Sequence, residues 1–124
     1  MLAAGSSRRY GSDKRRALLA SGQSLLQVSV ERALGAFGQL TLVLREGDDP
    51  AALGVPDGVD VLFNPHSVQG MASSLVKGVQ HVQQGGSEVL AVLLADMPCV
   101  QCSTLQALIA ASGPDLIVHC VSVE

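Results

Sequence analysis

The sequence has few aromatic side chains and no long apolar run. Aromatic residues make up 2% of the 124-residue chain against 48% for all hydrophobic types, so its core must be packed mainly from Leu, Val, Ala and Ile. The longest apolar run covers residues 89–95, far short of the roughly 20 residues that span a bilayer. The amino terminus also lacks the apolar stretch of a signal peptide. These absences predict a cytoplasmic protein that has no membrane partner.

The sequence carries no excess of positive charge. Its formal net charge is −3, which argues against a nucleic-acid-binding protein because such proteins present a broad basic surface. The basic residues are nevertheless clustered, and five of the eight are Arg8, Arg9, Lys14, Arg15 and Arg16. This cluster indicates either a site for a small anion or a basic turn exposed to solvent.

Cysteine is scarce, with three in the chain. Cys99 and Cys102 form a C-x-x-C pair, but no further ligands stand at a spacing typical of zinc sites. Cys102 immediately precedes a predicted helix, a position that suits a redox pair. Buried or half-buried thiols are the default interpretation, and a metal or redox role is the alternative. The histidines His66 and His81 are expected at the solvated surface without a carboxylate partner.

The first half of the chain predicts a helix followed by two strands. Apolar residues recur at helical spacing over 25–37. Ser24, with a glutamine three residues later, has the spacing of a capping box, and Gly38 can end the helix. Apolar stretches at 40–44 and 59–63 predict two short strands.

The second half of the chain predicts two helices that alternate with two strands. A helix ending at the glycines 85–86 is predicted from one apolar face, which consists of Met71, Leu75, Val79 and Val82. The continuous apolar run 89–95 is typical of a parallel strand buried on both faces. Ser103, again followed three residues later by glutamine, predicts the cap of another helix. Residues 116–123 predict a last strand.

Strands that alternate with helices predict a single α/β domain over residues 1–124, with a mostly parallel central sheet and helices on both faces. In such sheets, ligands bind beyond the carboxyl ends of the strands. We therefore expect functional residues from Gly5 onward, after Arg45, after Asn64 and at Asp96.

The segment from Gly5 to Lys14 combines small residues with several cations directly after an apolar stub. Inward-pointing N–H groups of such a loop bind anions, and an arginine and a lysine match a triphosphate. A Walker A loop is excluded, because five residues separate Gly5 from Gly11 and Lys14 comes three positions later. The dinucleotide fingerprint G-x-G-x-x-G is absent as well. We call residues 5–14 the glycine loop.

Residues 2–14, which include the glycine loop, fit the pattern L-A-A-G-x-S-x-R-[M/F]-G-x-x-K. This segment resembles the loop with which sugar-nucleotide and molybdenum-cofactor nucleotidyltransferases wrap a triphosphate. Tyr10 departs from the pattern, since it stands where Met is usual. The fixed positions are matched by Gly5, Ser7, Arg9, Gly11 and Lys14.

Two later segments resemble further motifs of these enzymes. Residues 70–75, G-M-A-S-S-L, look like the G-M-x-x-S-L segment that lies near the base and ribose. Residues 93–98, L-L-A-D-M-P, look like L-x-A-D-M/Q-P, whose aspartate holds Mg²⁺. One of Ser73 and Ser74 can equally be an ordinary first-turn helix residue. Asp96 can be a helix cap, although a carboxylate on a buried strand favours a metal ligand.

Together, the three motifs resemble those of the molybdenum-cofactor cytidylyl- and guanylyltransferases. The resemblance implies a three-layer, Rossmann-like nucleotidyltransferase fold, and we expect its C-terminal part, and the beginning of its central strand, to be missing from this chain. The implied reaction transfers a nucleoside monophosphate to a phosphorylated small molecule such as molybdopterin and releases pyrophosphate. A nucleotide-binding module without catalysis is the alternative.

The resemblance also implies roles for single residues. Arg9 and Lys14 would serve the phosphates, and Asp96 would hold the Mg²⁺ cofactor. Ala4 favours CTP over GTP, because its methyl group would narrow the base pocket. The implied nucleotide-binding residues are Leu2, Ala3, Ala4, Gly5, Ser6, Ser7, Arg9, Gly11, Lys14, Asn64, Gly70, Met71, Ser74 and Asp96.

Overall fold

The computed structural model describes residues 1–5, 11–86, 90–95 and 100–111. Its helices and strands are α1 (Leu25–Phe37), β1 (Thr41–Arg45), β2 (Asp60–Asn64), α2 (Met71–Gln84) and α3 (Cys102–Ala111). Two short 3₁₀ turns, Lys14–Arg16 and Ser67–Gln69, precede α1 and α2. In the part of the chain that the structure describes, no helix combines the length and apolarity needed to cross a bilayer.

Helix α1 has the boundaries that its sequence predicts. The Ser24 hydroxyl accepts a hydrogen bond from the Gln27 N–H at 3.1 Å and so caps the first turn. Gly38 ends the helix with φ 71°, a left-handed conformation that glycine adopts without strain. The local prediction is confirmed because both ends depend on contacts within a few residues.

Helix α3 begins earlier than its sequence predicts. The N–H groups of Thr104 and Leu105 donate to the carbonyl of Gln101, so the first turn starts at Cys102 and Ser103 is not the cap. Tertiary packing explains the difference, since the Cys102 thiol donates to the carbonyl oxygen of Arg32 on α1 at 3.1 Å.

The sheet is parallel. Strands β1 and β2 pair from Thr41↔Asp60 to Arg45↔Asn64. Each strand begins and ends one residue later than predicted. Leu2 forms parallel bridges to both Val43 and Leu94. The parallel segments therefore lie in the order 90–95, 1–4, β1, β2, and the predicted parallel α/β fold is confirmed.

Helices cover both faces of this sheet, as predicted. On one face, Leu42 and Leu44 pack in a buried cluster with Leu26 and Val30 of α1. On the other face, a methyl group placed at Gly78 of α2 would lie 3.5 Å from the Val43 side chain. Alternating side chains of β1 thus face α1 and α2 in turn, which produces three layers.

The apolar run 89–95 is less buried than its composition predicts. Leu90 is 43% exposed and Val92 48% exposed, and within the described residues 90–95 only Ala95 is buried. The reason is its pairing: among the described residues, this run is joined to the sheet at Leu94, where it meets Leu2. The predicted strand 116–123 lies outside the described residues.

Helix α2 confirms the predicted helix but covers the sheet incompletely. Met71 is 60% exposed and Leu75 37% exposed, although the spacing puts both on the predicted apolar face. Leu75 lines an open groove of about 380 Å³ between α2 and the segment 90–93.

The amine of Met1, which lines the same groove, donates to the Thr41 carbonyl at 2.6 Å, and burial lowers the pKa of this amine to about 6.

Candidate functional site

The carboxyl ends of the parallel segments meet at one edge of the sheet. Arg45, the last residue of β1, pairs with Asn64, the last residue of β2. Because Leu2 pairs with Val43, the same register sets Ala4 beside Arg45. We call Ala4, Arg45 and Asn64 the edge row. It brings the start of the glycine loop close to the segment that follows Asn64, as the sequence predicts.

A buried arginine lies at the other end of the glycine loop. Arg15 is 5% exposed, and each of the five N–H groups of its guanidinium has an acceptor. Nε and Nη2 donate to the two oxygens of Asp13 at 2.9 and 2.8 Å. Nη1 and Nη2 donate to the two oxygens of Asp48 at 2.6 and 3.0 Å, and Nη1 also donates to the Ala3 carbonyl at 3.0 Å. Arg15 has no N–H group left for a phosphate.

This arrangement corrects the interpretation of one member of the basic cluster, Arg15. Arg15 is neither an anion ligand nor part of a solvated turn, because two carboxylates within the protein bind it. Arg16 lies outward instead, with Nε 3.7 Å from Asp13 Oδ2. The sequence could not show the difference, since Arg15 and Arg16 are adjacent and chemically identical.

The two carboxylates beside Arg15 are stabilised in their ionised form. The hydrogen bond from Arg15 lowers the pKa of Asp13, although burial acts in the opposite direction. Burial by itself would raise the pKa of Asp48, but the hydrogen bond and the charge of Arg15 outweigh it and leave the pKa below its ordinary value. Burial also opposes the charge of Arg15, yet the hydrogen bonds to Asp48 and Asp13 raise its pKa.

Arg45 joins the start of the glycine loop to β1. Its Nε donates to the carbonyl oxygen of Gly5 at 3.1 Å, and its Nη2 contacts the same oxygen. Its backbone N–H donates to Asp48 Oδ2 at 2.9 Å, and Nη2 lies 3.9 Å from Asp13 Oδ1. The residues on both sides of positions 6–10 are thus fixed to the end of β1. Lys14 lies half-buried in the 3₁₀ turn that Asp13 caps through the Arg15 N–H.

Asn64 organises the segment between β2 and α2. It is 2% exposed, and its Nδ2 lies 2.9 Å from the hydroxyl oxygens of both Ser73 and Ser74. Its Oδ1 accepts from the His66 N–H at 3.0 Å. Gly70, at φ 112° and ψ 177°, then starts α2 without a side-chain cap. Asn64 and Ser74 therefore lie beneath this segment, while Gly70 and Met71 are exposed at its surface.

The end of the run 89–95 is held by α1. The buried Ser29 hydroxyl lies 2.9 Å from the carbonyl oxygen of Ala95, the residue that precedes Asp96 in the sequence. Leu94 pairs with Leu2, so this end is beside the central segment of the sheet. Three motif segments that are distant in the sequence therefore converge at one edge.

Several predicted site residues can be located and others cannot. The described ones are Leu2, Ala3, Ala4, Gly5, Gly11, Lys14, Asn64, Gly70, Met71 and Ser74. Ser6, Ser7, Arg9 and Asp96 lie outside the described residues. Within the described ranges, no three His, Cys, Asp or Glu side chains group as a metal site would.

Sequence reasoning missed two residues: Asp48, which binds Arg15 beside the glycine loop, and Ser29, which binds the Ala95 carbonyl at the end of the run 89–95. Asp48 follows β1 in an acidic loop, and the buried Ser29 is polar on a helix face that is otherwise apolar. A polar residue at an apolar position is a signal for such a contact, but its partner becomes visible only in three dimensions.

His81 has a carboxylate partner, against prediction: its Nε2 lies 2.6 Å from Asp60 Oδ2. The sequence could not show this pair, because Asp60 begins β2 and His81 lies near the end of α2.

Cys102 is half-buried, which agrees with the default interpretation of the cysteines as structural thiols. Cys99 lies outside the described residues.

The fold and the edge row define an α/β protein with a glycine loop at the carboxyl ends of parallel strands. The sequence matches the model of the MobA-like NTP transferase domain over residues 1–123. The chain belongs to this family, which supports nucleotidyl transfer in general, with a nucleoside triphosphate as substrate. No curated protein and no solved structure matches the chain significantly.

Proposed function

We propose that this protein transfers CMP from CTP to a phosphorylated small molecule such as molybdopterin, and releases pyrophosphate. The observation that carries the proposal is the edge row: Ala4 and Asn64 bring the glycine loop and the Gly70–Met71 surface to one end of the sheet. Such an edge is where open parallel sheets bind their ligands. GTP is the alternative donor.

The proposed reaction needs positioning rather than covalent catalysis. A phosphate oxygen of the acceptor attacks the α-phosphorus of the nucleotide. The bond from the α-phosphorus to the oxygen that bridges the α- and β-phosphorus atoms breaks, and pyrophosphate leaves with the electron pair. Arg9 and Lys14 would neutralise the charge that develops on the leaving phosphates. The half-buried position of Lys14 beside the paired Arg15 suits this role.

Mg²⁺ is proposed as the cofactor, with Asp96 as its protein ligand. One carboxylate would be enough to hold the ion, because substrate phosphates and water can supply the remaining ligands. The buried Ala95, fixed by Ser29, supports this proposal by holding the residue before Asp96 at the carboxyl edge. When bound, the ion would supply charge stabilisation at the phosphates.

The preference for CTP depends on Ala4. Ala4 is 5% exposed, and the register sets it on the sheet face of Val43, which is the face that α2 covers. In the proposed site, the methyl group of Ala4 would narrow the pocket for the base. A pyrimidine needs less room than a purine, so this supports CTP over GTP.

The test is pyrophosphate release from each nucleoside triphosphate in the presence of Mg²⁺ and the molybdenum cofactor. We expect CTP to react faster than GTP, and Lys14→Ala and Asp96→Asn each to lower the rate by about a hundredfold. Lys77→Ala and Asp57→Asn are matched controls outside the edge row, and we expect both to retain the wild-type rate.

Each result has a distinct meaning. A melting shift with CTP but no pyrophosphate would identify a binding module instead of an enzyme. Equal rates for wild type, Lys14→Ala and Asp96→Asn would refute the site. A faster reaction with GTP would refute the base preference alone.

A further inference from the structure

The two ends of the glycine loop are joined by a cluster of four charged side chains, Asp13, Arg15, Arg45 and Asp48, which we call the loop clamp. We propose that the loop clamp positions the glycine loop, and that its two arginines act on the nucleotide only through the loop. The inference rests on the proposed function, since it assigns the residues that hold Lys14 and the loop backbone in place.

The donors of Arg15 show that it does not bind phosphate. A guanidinium has five N–H groups, and in Arg15 all five donate to Asp13, Asp48 and the Ala3 carbonyl. A phosphate ligand would have to displace one of these acceptors from a buried site. The cost of leaving a buried carboxylate without its partner argues against such an exchange.

The connections of the clamp show what it holds. Arg15 links Ala3, before residues 6–10, to Asp13, after them. Arg45 contacts Gly5 and, through its backbone N–H, Asp48. Because β1 is paired with β2 along its whole length, the clamp transfers the rigidity of the sheet to both ends of the loop.

The charges of the clamp balance. Two arginines and two aspartates sum to zero, so the clamp adds no net positive charge to a triphosphate site. Asp13 also accepts from the Arg15 N–H at 3.1 Å and fixes the turn in which Lys14 lies. The proposal thus gives the adjacent cations separate tasks: Arg15 sets the position of the turn, and Lys14 within that turn serves the proposed site.

Two variants of Arg45 separate its contacts from its charge: Arg45→Met removes both, whereas Arg45→Lys keeps the charge and loses the guanidinium geometry. Arg45 is partly exposed, so we expect Arg45→Met and Arg45→Lys to fold with melting temperatures within about 5 °C of wild type. Both should lower kcat/KM for pyrophosphate release by about tenfold to a hundredfold, because small displacements of positioning groups have effects of this size. Lys77→Met is the matched control: it removes a cation on α2, outside the clamp, and its kcat/KM should stay within about twofold of wild type.

Arg15→Lys is a second test of the same idea. Lysine keeps the charge but has three donors, so it cannot bind Asp13, Asp48 and Ala3 as Arg15 does. We expect lower activity and lower stability. If this variant does not fold, the Arg45 pair still decides the question.

Two kinetic outcomes would overturn the inference. Wild-type kcat/KM in Arg45→Met would show that the clamp does not matter, and full rescue by Arg45→Lys would show that its charge acts on phosphate directly. Amide hydrogen exchange of residues 3–5 and 11–16, measured without nucleotide, provides a readout independent of activity, and we expect faster exchange in Arg45→Met. If the wild type releases no pyrophosphate, the proposed function fails, and unchanged exchange in Arg45→Met would then overturn the clamp as well.

Discussion

The Ser29 hydroxyl of α1 lies 2.9 Å from the carbonyl oxygen of Ala95, the residue that precedes Asp96. The same hydroxyl lies 2.9 Å from the Leu25 carbonyl, so one proton serves either the helix or the neighbouring strand end. We expect Ser29→Ala to lower the free energy of unfolding by about 1 kcal/mol, because a buried carbonyl loses its donor. Urea unfolding followed by circular dichroism measures the change.

Ser103→Ala is the control for this prediction. Ser103 is exposed and does not cap α3, so its removal should change stability by less than about 0.5 kcal/mol. A loss near 1 kcal/mol in Ser103→Ala would indicate that Ser103 caps the helix in solution after all.

Asn64 has three hydrogen-bond partners in a buried position. Asn64→Ala leaves the Ser74 hydroxyl and the His66 N–H without their Asn64 partner. We expect the free energy of unfolding to fall by about 2 kcal/mol at an unchanged m-value. Ser73→Ala, at a half-buried residue, should cost less than half as much. Equal losses in the two variants would show that the Asn64 amide does not organise this segment.

Gly70 starts α2 in a conformation that side chains rarely adopt, with φ 112° and ψ 177°. A methyl group there meets no atom within 4 Å, so Gly70→Ala tests backbone strain alone, which costs about 1–3 kcal/mol. Gly38→Ala is the matched control, since it also has open space but lies at the far end of α1. We expect both variants to lose stability and only Gly70→Ala to weaken CTP binding, measured by titration calorimetry. Equal CTP affinity in the two variants would remove the Gly70–Met71 surface from the site.

The stability of the protein should fall in acid because of Asp13 and Asp48. Their pKa values are lowered in the folded state, so their contribution is complete above the unfolded pKa of about 4 and is lost as the pH falls through the folded values. Melting temperatures between pH 7 and pH 2.5 measure this loss. Asp48→Asn should melt lower at pH 7 and show a shallower decline, whereas the exposed Asp57→Asn should follow the wild-type curve. Parallel curves for all three proteins would contradict the assignment.

The sequence predicts those features that depend on neighbouring residues. Ser24 and Gly38 determine α1 through contacts within one turn, and the predicted strands 40–44 and 59–63 differ from β1 and β2 by a single residue. The edge where Ala4, Arg45 and Asn64 meet was also predictable, because parallel strands bring their carboxyl ends together.

Features that depend on distant residues were not predictable. The burial of Arg15 requires Asp48, which approaches it only when β1 is in place. The pair between His81 and Asp60 likewise requires α2 to lie across β2. The exposure of Leu90 depends on how far the central segment pairs with its neighbours, which composition alone does not reveal.

The position of Leu2 between Val43 and Leu94 has a consequence for folding kinetics. These partners are far apart in the chain, so large loops must close before the centre of the sheet can form, and such contacts form slowly. Helix α1, whose caps are local, can form first. We therefore expect the glycine loop to acquire its geometry in the last step of folding, and intermediates with native helix content to be unable to bind a nucleotide.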